Sequence, residues 1–503
     1  MKILNARQIR KLDAYTIEHE PIRSIDLMER AAKRCFEWIK RRMREKKKVQ
    51  VFCGMGNNGG DGLAIGRMLG GTGHQVVVHI VRHASEGSPD FQKNRKRLHG
   101  VRNLQVIELD EGSTLPDIGG DELVVDALFG SGLNRPLDGL PARVVGHINA
   151  SGAVVVAIDL PSGLFCEDNT GNDHAAIIRA DYTLCFQMPK MAFLFAENEM
   201  IVGQWEVLDI GLHPEGIARS DSKYSMIEPG MLKEFYRPRS RFSHKGQFGH
   251  ALLIAGHLGK MGAALIAARA CMRSGVGLLS VFLPECGVIP LQTYLPEAMC
   301  LPAANRELID GLPDMERFNA IGIGPGTDTA DETARTLKLL LQQAACPLVL
   351  DADALNILAE NPTWCGFLPS GSVLTPHPGE FDRLAGKCSS GYERLMKARE
   401  FAHRFQITLV LKGAFTAVIS PAGEVYFNPT GNPGMASGGS GDALTGMILA
   451  WMAQNYNPLQ SSLAAVFTHG LAADLAARGK AFEGLIVTDL VEMIPSAIRK
   501  TFY

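Results

Sequence analysis

Short apolar, β-branched runs alternate with stretches of helical period along most of the chain. In the first half, residues 49–53, 75–81, 123–126, 154–159 and 182–186 read as strands. Their apolar character is nearly continuous, without the alternation of a sheet with one wet face, so they predict strands covered on both sides. The second half repeats the style at 250–255, 278–282, 320–323, 348–351, 373–375, 409–411 and 417–419. Helices are predicted over 262–274, 331–345, 394–405 and 461–477, and over the apolar stretch 443–451. Such alternation predicts parallel α/β sheets in both halves, the first a Rossmann-like three-layer domain. Between them, 213–244 is rich in Pro, Gly, Ser and charge and shows no strand or long apolar helix. The expected division is therefore a first domain over 1–213, a linker and start of the second over 214–244, and a second domain over 245–503. No fixed-period repeat is visible, which excludes solenoids and propellers.

Composition narrows the function classes. With 503 residues, 46% of them hydrophobic and 21% charged, the chain has material for large cores. Its formal charge of −2 provides no basic field for nucleic acid or an anionic membrane, so small molecules are the expected partners. Ten scattered cysteines form no Cys-x-x-Cys pair and no zinc-spaced cluster, which fits a reducing compartment. The charged segment 1–20 and the lack of any membrane-length apolar run predict a cytoplasmic protein.

The most informative segment is Gly431-Asn432-Pro433-Gly434-Met435-Ala436-Ser437-Gly438-Gly439-Ser440-Gly441, which runs into Asp442 and the apolar helical stretch. Glycines let successive backbone N–H groups face one point, and the following helix adds its positive end to it. A phosphate fits such a cradle. A carboxylate beside a phosphate weakens binding unless it has a task, and the usual one is to take a proton from a hydroxyl that attacks phosphorus. The segment thus predicts phosphoryl transfer with Asp442 as the base, although a bare Gly-x-Gly-Asp can also be a plain helix cap.

In the first half, Cys53-Gly54-Met55-Gly56-Asn57-Asn58-Gly59-Gly60-Asp61-Gly62 follows a strand and opens a helix, matching Gly-x-Gly-x-x-Gly. A dinucleotide-binding dehydrogenase would need an acid at the end of the second strand, where the chain reads Val81-Arg82-His83. Asp61 would moreover repel a pyrophosphate. The loop suits a different use, holding a ligand and a cation together. Two further loops, from Asp126 to Pro136 and from Ala157 to Gly163, also start at strand ends, which in a parallel sheet share one edge. They bring Asn58, Asp126 and Ser162 as hard oxygen donors for a cation, Arg135 for a phosphate and Asp159 as a candidate acid/base. Taken singly, Asp126 and Asp159 also read as loop caps.

Asn57-Asn58-Gly59-Gly60-Asp61-Gly62, Gly130-Ser131-Gly132-Leu133-Asn134-Arg135-Pro136 and Asp159-Leu160-Pro161-Ser162-Gly163 together resemble the NAD(P)H-hydrate epimerase domain. Leu27-Met28-Glu29-Arg30-Ala31-Ala32 and Pro189-Lys190 fit it too, while Gln187-Met188 stand where smaller residues are usual. The resemblance implies a potassium ion on Asn58, Asp126 and Ser162. It implies that residues 57–61, 130–136 and Asp159 face the damaged cofactor.

The second half resembles the ADP/ATP-dependent NAD(P)H-hydrate dehydratases of the ribokinase-like fold. The resemblance is carried by Gly246 to Gly256, Gly262-Ala263-Ala264 through Gly275-Val276-Gly277, Gly322-Ile323-Gly324-Pro325-Gly326, Asp351-Ala352-Asp353-Ala354-Leu355-Asn356, Thr375-Pro376-His377-Pro378-Gly379-Glu380-Phe381, Leu411-Lys412-Gly413-Ala414 and the 431–442 cradle. It implies that Ala263, Gly326, His377 and Asp442 approach the hydrated nicotinamide. Lys412, Gly413, Ala414, Phe415, Thr416, Asn432, Gly438, Gly439, Ser440 and Gly441 would bind ADP or ATP with Mg2+. Outside the motif, a His between two prolines reads as a hydrogen-bonded loop residue, and Lys260 reads as a surface charge.

The two resemblances imply repair of NADHX and NADPHX. Epimerisation of the R and S hydrates would fall to the first domain, and nucleotide-driven dehydration of the S form to the second, in a homo-oligomer without nucleic-acid or membrane partners. The alternative is a ribokinase-like kinase of a small hydroxylated metabolite, with a non-catalytic ligand-binding module in front.

Overall fold

The alternation of apolar runs and helices builds two separate sheets in the computed structural model, which describes residues 1–42 and 47–503. The chain divides into a unit of 2–222 with 390–392 and a unit of Met1, 223–389 and 393–503.

The first unit holds β1 (Val49–Cys53), β2 (Val76–Val81), β3 (Leu104–Leu109), β4 (Leu123–Ala127), β5 (Val154–Ile158), β6 (Tyr182–Phe186) and β7 (Gln204–Leu208). They lie in the order β3-β2-β1-β4-β5-β6-β7, and every neighbouring pair is parallel. β1 and β4 are buried along their whole length, as continuous apolar runs should be. β3 and β7 escape the sequence reading because they are edge strands whose residues are mostly exposed or half-buried, so no continuous apolar run marks them.

The second unit carries β8 (Tyr224–Met226), β9 (His250–Ile254), β10 (Leu278–Leu283), β11 (Met299–Pro302), β12 (Ala320–Ile323), β13 (Leu348–Leu350), β14 (Val373–Leu374), β15 (Thr408–Leu411), β16 (Ala417–Ile419) and β17 (Val425–Phe427). Their order is β11-β10-β9-β12-β13-β14-β15-β16-β17-β8. Two expectations are corrected here. The sheet is not wholly parallel, since β15, β16 and β17 pair antiparallel; residues 412–416 and 420–424 are too short for a crossover helix and close as turns. The segment 213–244 is also structured, with helices Pro214–Arg219 and Pro229–Phe235 around β8, which pairs parallel with β17. A three-residue strand has too few positions to show a period.

The core of the second unit centres on the helix Ser440–Ala453, buried without a break from Ala443 to its end. It lies against the helix Met261–Arg273 at a glycine: a Cβ on Gly446 would stand 2.0 Å from the Ala267 carbonyl oxygen. Among the described residues no helix is long and apolar enough to cross a membrane.

Both sheets reverse direction once. The chain winds outward from β1 to β3 and restarts at β4 beside β1; it winds from β9 to β11 and restarts at β12 beside β9. The crevice beyond the carboxyl ends of the strands at such a reversal is where open parallel sheets bind ligands.

Candidate active sites

At the first reversal, the loop after β1 turns into the helix Asn57–Gly71. Gly59 is required there, because a Cβ would meet the Gly54 carbonyl oxygen at 1.8 Å. The turn brings Asn58 against the loop after β4, where a Cβ on Gly130 would lie 3.2 Å from the Asn58 side-chain carbon. Asp126, at the end of β4 and fully buried, accepts from the Ser162 hydroxyl at 2.6 Å, the Ser162 amide at 2.8 Å and the Leu128 amide at 3.2 Å. The Ser162 hydroxyl also accepts from the Phe129 amide at 2.9 Å. Burial pushes the Asp126 carboxyl up to about 6 against these hydrogen bonds.

Asp159 ends β5 with φ of 65°, a left-handed turn that Asp tolerates better than most residues. Its carboxylate pairs with the Lys190 ammonium at 2.8 Å, Lys190 being only 1% exposed, and accepts from the Ser131 amide at 3.3 Å. Asp61 is buried next to this pair, and burial together with Asp159 and Asp13 holds its carboxyl well above the usual range. Asp13, on the helix Ala6–His19, is pushed up to about 6, by burial first and by Asp159 second. Asn58 Nδ2 and Asp61 Oδ1 are buried with no protein partner. Gly59 and Gly60 face protein atoms, whereas Asn57, Gly132, Asn134, Arg135 and Pro136 are exposed.

At the second reversal, Gly326 and Ala263 meet: a Cβ on Gly326 would lie 3.0 Å from the Ala263 Cβ. The cradle is braced from below, where Asp474 accepts from the Gly431 amide and the Asn432 side chain, each at 3.0 Å. Gly439, at φ 94°, turns the chain into the helix that starts at Ser440. Lys412, at the end of β15, pairs with Asp351 at 2.7 Å and approaches Glu380 at 3.6 Å. Asp351 is 1% exposed and also accepts from the Thr445 hydroxyl at 2.7 Å, so Lys412 and these bonds hold its carboxyl below the usual range despite burial. Asp442 makes no ion pair among the described residues, and burial followed by the charge of Asp351 pushes its carboxyl up to about 7 against the nearby charge of Lys412. The 412–416 turn is tied by a Thr416-to-Gly413 hydrogen bond of 3.0 Å, with Gly413 and Ala414 exposed.

His377 plays the structural part its prolines suggest: Nδ1 accepts from the Gly379 amide at 3.1 Å and caps the helix Pro378–Ala385. Its Nε2 lies 3.4 Å from Glu380, which connects it to Lys412. Lys260 is half exposed and pairs with Asp328 at 3.2 Å, as a surface charge would.

Sequence reasoning assigned no role to Lys190, Asp351 or Asp13. The first two stand inside quoted motifs, and only their partners across the fold reveal their use. Among the described residues no three His, Cys, Asp or Glu side chains converge as a ready metal cage. A cation at either edge would complete its shell with carbonyls, amide oxygens, hydroxyls, water or substrate.

Two family models match the chain, one described as NAD(P)H-hydrate dehydratase over residues 251–496 and one as YjeF-related protein N-terminus over residues 24–192. A bifunctional NAD(P)H-hydrate repair enzyme of Moorella thermoacetica is 34% identical, the match spanning 99% of this chain and 97% of that one. Its counterpart in Thermofilum pendens is 33% identical, with coverage of 99% and 96%. A crystal structure of the ADP/ATP-dependent NAD(P)H-hydrate dehydratase of Bacillus subtilis, co-crystallised with ATP and Mg2+, is 32% identical over 55% of this chain and 98% of that one, with a TM-score of 0.48.

Proposed function

The chain belongs to the bifunctional NAD(P)H-hydrate repair enzymes, and from that premise we propose which residues carry each activity. It restores hydrated NADH and NADPH, epimerising the hydrates and dehydrating one configuration at the expense of a nucleotide. We assign epimerisation to residues 1–213 and dehydration to 245–503, with 214–244 leading from one to the other. The relatives match both halves, so a kinase with a non-catalytic front module is not favoured.

Hydroxide is a poor leaving group from the hydrated ring carbon, and phosphorylation makes it a good one. The observation that carries the dehydratase assignment is Asp442: a carboxyl pushed up to about 7 at the lip of an amide cradle. A base poised near neutrality is efficient at taking the proton of an attacking hydroxyl. The cradle amides from Asn432 and Gly438 to Gly441 receive the phosphoryl oxygens, Lys412 balances their charge, and the 412–416 turn borders the nucleotide. Ala263, Gly326 and His377 border the nicotinamide. Expulsion of phosphate by the ring nitrogen's electron pair leaves an iminium, and loss of a proton from the adjacent ring carbon to water then restores the ring double bond of the dihydronicotinamide. Mg2+ would arrive with ADP or ATP held chiefly by phosphate oxygens and water, since Lys412 already engages Asp351 and Glu380, and when bound would neutralise phosphate charge.

In the first unit, Asp159 takes the proton of the hydroxyl on the hydrated carbon as that carbon's bond to the ring nitrogen opens to an aldehyde, the nitrogen taking up a proton. Reclosure on either face returns the proton to oxygen, and Lys190 positions the Asp159 carboxylate. Asn57 to Asp61 and Gly130 to Pro136 form the two loops that border the cofactor, Arg135 offering a guanidinium to phosphate. Asn58, Asp126 and Ser162 fit potassium, for Asp126 is a buried carboxylate supplied with hydrogen bonds but, among the described residues, paired with no cation. When bound, the ion would neutralise Asp126 and tie three strand-end loops together.

The test is incubation of the protein with mixed-configuration hydrated NADH, Mg2+ and ADP or ATP while dihydronicotinamide absorbance is followed. Nucleotide-dependent recovery with release of phosphate is expected. Accumulation of a stable phosphorylated product would instead mark a kinase.

A further inference from the structure

The second unit contains a cavity of about 370 Å³ that none of the residues assigned above lines. It opens at the far end of the helix Ser440–Ala453, where Trp451 and Gln454 form part of its wall. Trp451 lies nine residues beyond Asp442, about 13 Å along the helix at 1.5 Å per residue.

The wall is built from hydrogen-bond donors and aromatic rings. Arg237 lies over the Tyr456 ring, 4.1 Å from its centroid, and Arg239 over the Phe248 ring at 3.8 Å. Arg237 Nη2 donates to the Gln454 carbonyl at 3.1 Å, and Arg239 Nη2 donates to the carbonyl of Gly275. Gly275 sits at φ 90°, and a Cβ there would stand 2.6 Å from the Arg239 guanidinium, so the glycine makes room for this arginine. Among the described residues neither arginine has an acidic partner, unlike Arg273 on the same wall, which pairs with Glu492 at 3.0 Å. Trp451 is 3% exposed, and its indole Nε1, a donor only, is buried with no partner in the protein.

Two guanidiniums, each held over a ring and bonded to a carbonyl, lose less freedom on meeting an anion than free surface arginines would. Tyr236, Trp451 and Tyr503 also line the cavity and offer apolar ring surface to a planar base. The volume lies at the small end of the 300 to 1,000 Å³ range of about drug-sized ligand sites, room for one nucleotide unit and not for a dinucleotide.

We propose that this cavity is a second ligand site, separate from both catalytic edges, which takes a nucleoside monophosphate with its phosphate on Arg237 and Arg239 and its base among the aromatic side chains.

The experiment uses the full chain with 15N-labelled tryptophan, whose four indole N–H signals are assigned by single Trp→Phe variants. AMP is the probe, and inorganic phosphate is the comparison. Saturable movement of the Trp451 signal by AMP is expected, with phosphate alone far weaker. In the Arg237→Ala/Arg239→Ala variant the AMP midpoint should rise about tenfold or more, as loss of charge-assisted bonds implies. Thermal melting and dehydratase turnover verify that this variant is folded. A Trp451 signal that AMP leaves unmoved overturns the proposal, as does movement that persists unchanged in the folded double variant. Equal potency of phosphate and AMP would overturn the nucleotide assignment.

Discussion

Each sheet reversal gathers a lysine and carboxylates, but the two distribute the charge differently. In the first unit, Lys190 is bonded directly to the acid at the strand end, Asp159, at 2.8 Å and out of contact with water. In the second, Lys412 is bonded to Asp351 at 2.7 Å, and Asp442 at the cradle, though near Lys412, makes no direct ion pair among the described residues. On the proposed assignment, the first arrangement orients Asp159 for taking a proton from a neutral hydroxyl. The second, on the same assignment, leaves a carboxyl raised toward neutrality beside the cradle, where it can take the proton of an attacking hydroxyl. As so assigned, one architecture supports two chemistries through the partner each lysine takes.

The sharpest way to break the contrast is Asp442→Asn. Nucleotide-dependent dehydration should fall by about two to four orders of magnitude, the usual cost of a lost general base. Binding of ADP, measured by titration, should persist because the cradle amides are untouched. Next in size is Lys190→Met, which leaves Asp159 buried without its partner. Removing one member of a buried pair costs about 3–5 kcal/mol, so a urea melt should show a large loss of stability alongside loss of epimerisation. Unchanged stability would mean that water reaches Asp159 freely.

Asp126→Ala should have a smaller and more local effect. Epimerisation should drop and lose any dependence on potassium, with dehydration unaffected; loss of both activities in a folded protein would contradict two separate sites. The smallest effect is on pH dependence. Dehydratase kcat/KM should rise with pH through an ionisation near the value of about 7 that burial and Asp351 impose on Asp442. The stability effect has the opposite sign. A carboxyl raised in the folded state binds more protons than the unfolded chain, so its contribution to stability declines as pH rises from about 4 to about 7. Asp442→Asn should flatten that decline in melts taken across the interval.

The sequence made the central strands legible because burial on both faces leaves no alternation, and β1, β6, β12 and β16 begin and end where the apolar runs do. Edge strands β3 and β7, with half their residues in water, look like loops. The cradle was legible because glycines, a carboxylate and an apolar helix are contiguous there. Lys190, Asp351 and Asp13 were not, since what matters about each is a neighbour brought from another element. Asp13 shows this most clearly: nothing in its helix distinguishes it, and only the fold sets it near Asp159.

Central to the account is that the two reversals act on the same substrate in different ways, and Asp159→Ala tests it most directly. Given mixed hydrates, Mg2+ and nucleotide, this variant should recover in a fast phase only the configuration the second unit accepts, leaving the remainder to slow spontaneous epimerisation, while the parent drives the whole pool to dihydronicotinamide. Recovery of the whole pool by the variant at the parental rate would contradict the account.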